Sequence, residues 1–181
     1  MILRRTVLAA GGTLAAGLIA RKPRAEELDD LAKALEPIDP PVAAPDVSFV
    51  AADGSEHHLK EFSGHGMVIN LWATWCGPCI EELPSLARLS KMLAPDDIAV
   101  LPLSSDRGGA RTVSAYFQEH GISGLPVLLD PHSDAAHAWH VRGIPTSFVI
   151  DKRGRQVAKL EGSADWSTPA AAALVRKLVA G

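Results

Sequence analysis

The chain of 181 residues contains two cysteines, and both fall in one short segment, Trp75-Cys76-Gly77-Pro78-Cys79. Two sulfurs at this spacing can close into a disulfide and reopen, which moves two electrons by thiol exchange. Context separates such a redox pair from a chance one. Met67 to Ala73 is an almost unbroken apolar run, as expected of a strand buried on both faces, and a helix is predicted to begin at the cysteine pair. The free N–H groups of a first helical turn would point at the Cys76 sulfur, and the helix dipole adds partial positive charge there. Both favour thiolate over thiol. Moving a thiol from about 8.5 to about 7 takes roughly 2 kcal/mol, whereas a helix terminus supplies about 0.3–1 kcal/mol and at best about 2. Hydrogen bonds to the sulfur must supply the rest. Cys79, one turn deeper, is the more shielded. Cys76 is therefore expected to attack a target disulfide and Cys79 to resolve the mixed disulfide.

Other chemistries use the same atoms. Structural zinc wants four ligands, usually from two such pairs, and the close-spaced candidates beyond the cysteines are His137 and His140. Those two histidines read more simply as surface residues flanking a packed Trp139. A static disulfide closing so short a loop would stabilise little. A peroxidatic cysteine wants Thr or Ser three residues before it and Pro seven before it; here those positions hold Ala73 and Ile69. No cofactor is required by the dithiol reading, and none is expected.

The elements that must hold the pair alternate along the chain. Val47 to Ala51 and His57 to Leu59 flank Asp53-Gly54, a hairpin signal. The helix from the cysteine pair should run to about Ala94, with Pro84 bending it. Ile98 to Leu103 reads as a second central strand, Ala110 to His120 as a helix ending at Gly121, Pro126 to Leu129 as a short strand and Asp134 to His140 as a short helix. Ser147 to Ile150 and Gln156 to Leu160 form a hairpin around Lys152-Arg153-Gly154. Thr168 caps a last helix that starts with Pro169. The alternation implies an α/β fold with helices on both faces of the sheet.

Charge divides the chain. Residues 1–25 carry five basic side chains and no acid; residues 26–181 carry 13 basic and 21 acidic ones, a net of −8 against −3 for the whole. Nothing in this balance suggests a nucleic-acid partner. Arg4-Arg5 precede an uncharged run from Thr6 to Ala20, shorter than the roughly 20 residues that cross a bilayer. Residues 1–25 read as a signal peptide of twin-arginine type, with a retained N-terminal membrane anchor through residues 6–20 as the alternative. Residues 26–45 read as a short helix, with Leu28, Leu31 and Leu35 on one face, followed by a stiff spacer containing Pro37, Pro40, Pro41 and Pro45. The folded domain is expected over residues 46–181.

The segment Trp72-Ala73-Thr74-Trp75-Cys76-Gly77-Pro78-Cys79 resembles the active-site motif of the thioredoxin superfamily. The body from about Pro45 onward resembles its exported TlpA/ResA-type branch of thiol–disulfide oxidoreductases. Asn70 stands where cytosolic thioredoxins carry a buried Asp, as is usual in this branch. Glu82 and Pro84 match the branch's residues on the helix after the cysteines, Gly143-Ile144-Pro145-Thr146 the segment with a cis proline facing them, and Asp151 to Gly154 the following turn. Ile98 to Asp130 matches the branch's central strand–helix insert. The resemblance implies a thioredoxin-like fold with a central mixed sheet flanked by helices and an N-terminal β-hairpin. It also implies Cys76, Cys79 and Glu82 as the reacting set, with Trp75, Gly77, Pro78, Ile144 and Pro145 facing the client. A cis Pro145 would leave the backbone at Ile144 free to pair with an extended substrate, and a Glu82 carboxylate near Cys79 would handle that thiol's proton; the plainer reading of Glu82 is a solvated helix residue like Glu81. The implied partners are a disulfide-containing client protein and an upstream thiol donor at the membrane, and the implied location is the periplasm, by export or by a tether to the inner membrane. The implied direction is reducing, and the implied clients are apocytochrome c or the copper-site cysteines of an oxidase. A copper-binding assembly chaperone is the non-enzyme alternative, although related chaperones put three residues between their cysteines rather than two.

Overall fold

All seven residues of the strand Gly66–Trp72 are buried, and the sheet is organised around this strand. The structure, a computed structural model, describes residues 26–181; the twin-arginine-like segment and the anchor alternative lie outside the described residues. In chain order the described elements are α1 (Glu26–Ala34), β1 (Glu36–Ala43), β2 (Ser48–Ala51), β3 (Glu56–His58), β4 (Gly66–Trp72), α2 (Gly77–Leu93), β5 (Ile98–Ser104), α3 (Gly109–Glu119), β6 (Leu128–Leu129), α4 (Asp134–Ala138), β7 (Thr146–Ile150), β8 (Arg155–Glu161) and α5 (Pro169–Ala180). The strands form one eight-stranded sheet in the order β1-β8-β7-β4-β5-β6-β2-β3. It is mixed: β5 runs parallel to both β4 and β6, while β7 is antiparallel to β4 and β8. The stretch matched to an insert therefore supplies the interior of the sheet.

The alternation of side chains along β4 divides the core. Val68 and Trp72 join the buried side chains of α1, α2, α3 and α5. Met67, Ile69 and Leu71 join a second cluster with Phe49, Phe148, Ala135 of α4 and Trp139 just after it. Helices thus lie on both faces, but unequally, with α4 alone on the second. The last helix begins as its residues dictate: the Thr168 hydroxyl accepts the Ala171 N–H at 3.0 Å, and Pro169 occupies the first turn, where an N–H is dispensable.

The domain boundary requires correction. Residues 36–43 are not a spacer: Glu36–Ala43 pairs antiparallel with β8, in two short stretches separated by an irregularity between Pro37 and Val42. An edge strand tolerates prolines because one row of its N–H groups faces solvent anyway. The helix before it is also part of the fold, since Leu31 and Leu35 are buried in the first core cluster with Val175 and Val179 of α5. The folded unit therefore includes residues 26–45. Replacing both Leu31 and Leu35 by Ala is expected to lower the unfolding free energy by about 4–8 kcal/mol in urea titrations; an unchanged midpoint would return this segment to the status of a linker.

Candidate functional site

The buried strand β4 ends at Trp72, and the chain then turns over Ala73-Thr74-Trp75 into α2. Asp106, just past the end of β5, fixes this turn. Its carboxylate accepts the Thr74 N–H at 2.8 Å, the Thr74 hydroxyl at 2.6 Å and the Ser104 hydroxyl at 2.7 Å. Trp72, fully buried, stacks on Phe117 of α3, whereas Trp75 beside the cysteines is 70% exposed.

Cys76 is the N-cap of α2, and its sulfur accepts the Cys79 N–H at 3.3 Å. The two cysteines form a disulfide with an S–S distance of 2.02 Å. Cys76 retains 7% exposure and Cys79 none, so an incoming group can reach the first sulfur only. Gly77 and Pro78 are exposed on the same rim. Facing them, the Ile144–Pro145 peptide is cis and the Ile144 carbonyl oxygen lies 3.6 Å from the Cys76 sulfur. The Thr146 hydroxyl donates to the Gly143 carbonyl at 2.7 Å and holds the turn. The Ile144 N–H makes no hydrogen bond among the described residues. The arrangement is therefore a reversible sulfur pair at a helix N-terminus, beside a short stretch of open backbone.

Glu82 lies one turn beyond Cys79 on the same face of α2. It is buried, at 3% exposure, so the solvated reading does not hold. Its carboxylate accepts from Asn70 Nδ2 at 2.7 Å, the Ala164 N–H at 3.0 Å and Trp166 Nε1 at 3.3 Å. Asn70 sits directly opposite Ser147 in the β4–β7 register and also donates to its hydroxyl at 3.0 Å. Burial pushes the Glu82 carboxyl above its ordinary value; the bonds from Ala164, Asn70 and Trp166 oppose this but do not cancel it. Glu82 also lines a solvent-facing hollow of about 420 Å³ with Ser85, Arg88, Ser163 and Asp165. His137 and His140 are exposed on either side of the buried Trp139, and among the described residues no three His, Cys, Asp or Glu side chains gather as a metal site. Asp106, Ser147 and Trp166 are parts of the site that the sequence reading did not single out.

A thioredoxin-like sheet carrying a disulfide at the start of its long helix defines the class of protein. The chain belongs to the AhpC/TSA family, whose pattern matches residues 41–158. It is 30% identical over 111 residues to the thiol-disulfide oxidoreductase ResA of Geobacillus kaustophilus, a match covering 61% of this chain and 63% of that protein. The chain thus spans somewhat less than two thirds of that relative. A crystal structure described as a thiol-disulfide oxidoreductase of Bacteroides vulgatus superposes with a TM-score of 0.63 at 29% identity, over 75% of this chain and 94% of that one. The exposed lipoprotein thioredoxin of Streptococcus pneumoniae superposes with a TM-score of 0.59 at 27% identity, over 74% and 98%.

A carboxyl that is harder to ionise in the fold than in the unfolded chain costs stability as pH rises. The loss begins near the ordinary value of 4.5 and continues until the folded group is fully ionised. The stability difference between the wild type and Glu82→Gln, measured by urea unfolding of the oxidised proteins, should therefore move in favour of the variant as pH is raised above about 4.5. Two curves that stay parallel would contradict the burial account.

Proposed function

We propose that this chain is an exported thiol–disulfide oxidoreductase that reduces disulfides in client proteins. The observation that carries the proposal is the Cys76–Cys79 disulfide at the N-terminus of α2, with the Cys76 sulfur on the rim beside Ile144. In the reduced protein, the Cys76 thiolate attacks one sulfur of the client disulfide. A bond forms between Cys76 and that sulfur, and the other client sulfur leaves as a thiolate. Cys79 then loses its proton and attacks the Cys76 sulfur, which closes the 76–79 disulfide and frees the second client thiol. The client gains two electrons and two protons. An upstream thiol donor reverses the exchange on the protein.

Glu82 takes the Cys79 proton in this scheme. Its raised affinity for a proton suits that role, and Glu82 lies at the edge of a solvent-facing hollow. Trp75, Gly77 and Pro78 form the platform on which the client rests, and the Ile144 backbone beside Pro145 pairs with its extended chain. Supporting disulfide exchange over peroxidase chemistry, Ala73 and Ile69, both fully buried, stand where a peroxidatic cysteine would want Thr or Ser and Pro. The clients that fit the TlpA/ResA resemblance are the haem-binding cysteines of an apocytochrome c or copper-site cysteines of an oxidase. The basic leader with Arg4-Arg5 and the likeness to an exposed lipoprotein support export or a membrane tether.

With Cys79 replaced by Ser, resolution is blocked, and clients should accumulate as mixed disulfides on Cys76 that can be isolated and identified. A variant that captures no protein through Cys76 in its own host would contradict the proposal. In Glu82→Gln, removal of the carboxylate should shift the titration of Cys79 in the reduced protein to lower pH, read by thiolate absorbance. An unmoved Cys79 would exclude Glu82 from the proton transfer.

A further inference from the structure

Two hollows meet at Trp75. The smaller, about 220 Å³, runs from Gly143 and Ile144 beneath Trp75 and is walled by Leu71, Leu103 and Val141. The larger, about 1120 Å³, leads away over Arg107, Gly108, Pro131, His132 and His137. Both are lined by Trp75, Ser105 and Ser133, so they adjoin as one trough, and its smaller end is lined by Ile144, whose carbonyl oxygen is 3.6 Å from the Cys76 sulfur.

The charges in this trough are unevenly presented. Its acids point inward: Asp106, at 4% exposure, is bonded to Thr74 and Ser104. Asp130, at 3% exposure, accepts the Asp134 and Ala135 N–H groups at 2.7 and 3.1 Å. Its bases point outward. Arg107, His132 and His137 are exposed, and neither Arg107 nor His132 has a side-chain hydrogen bond or ion pair among the described residues. Asp134, exposed on α4, lies outside both linings, and Arg142 at the Ile144 end is 3.6 Å from Glu161. Solvent in the larger hollow therefore meets the Arg107 guanidinium and two imidazoles, on a body whose residues 26–181 sum to −8.

We propose that this trough is a client subsite selecting acidic sequence: the chain on one side of the client's reacting cysteine passes Trp75 and places an acidic side chain against Arg107, with His132 and His137 beside it. The inference rests on the thiol–disulfide reading above. It makes Arg107 a specificity residue, since an otherwise acidic body would repel such a segment.

The test uses peptides with a single cysteine activated as a mixed disulfide with thionitrobenzoate and flanked, on one side or the other, by Glu or by Lys. The Cys76 thiolate of the reduced protein attacks the peptide sulfur and expels the coloured thiol. Each rate is divided by that of the same peptide with dithiothreitol, which removes differences in intrinsic reactivity. Wild type should favour Glu over Lys by about threefold to fivefold, as one exposed ion pair allows, on one side of the cysteine only and less so at high salt. In Arg107→Glu the ratio should fall to one or invert. Equal rates in wild type, or a Glu preference that persists in Arg107→Glu, would overturn the subsite. If wild-type protein reacted with none of the peptides, the failure would belong to the thiol–disulfide reading instead.

Discussion

The Cys79 N–H pointing at the Cys76 sulfur, 3.3 Å away at the first turn of α2, is the contact around which the site is built. It joins a sulfur to the positive end of a 17-residue helix. That geometry survives only if the strand before it and the helix after it are both immobile. The strand is immobile because it is buried on both faces and paired on both edges, with β5 and β7. The helix is immobile because Leu83, Leu86, Leu89 and Leu93 are all fully buried. The connecting turn, too short to hold itself, is tied by Asp106 to the end of β5. Cys76, with its 7% exposure, is thus a small accessible point on an otherwise buried frame.

Behind the sulfurs, a single carboxylate gathers much of the fold. Glu82 of α2 binds Asn70 of β4 and two groups of the segment after β8, Ala164 and Trp166. The Ser85 hydroxyl, one turn on, adds the Trp166 N–H and the Glu82 carbonyl. The identity of residue 70 follows from this. An Asp there would set a second carboxylate 2.7 Å from Glu82, and two such groups cannot both stay ionised. The amide of Asn donates instead. A buried acid so bonded is held in one orientation while its proton affinity remains raised.

The parts of this structure visible in the sequence are those with a local physical signature. The apolar run of β4, the Asp53-Gly54 turn and the Thr168-Pro169 helix start depend on residues close in sequence. The Pro-rich β1 was misread because its prolines carry no donors and its alternation is weak; only pairing with β8, over a hundred residues away, makes it a strand. Asp106 and Trp166 were missed for a similar reason, since they bond to partners 32 and 84 residues distant. Burial of Glu82, likewise, is a property of the packed helix and not of its neighbours Glu81 and Leu83.

The central claim is that the fold ionises one sulfur and shields the other. It is tested most directly by reducing the protein, alkylating it across a range of pH and following each cysteine separately by peptide mapping. Cys76 should react first at every pH, with a midpoint well below the 8.5 of an ordinary thiol, while Cys79 lags. Equal rates for both, with the pH dependence of free cysteine, would contradict the account.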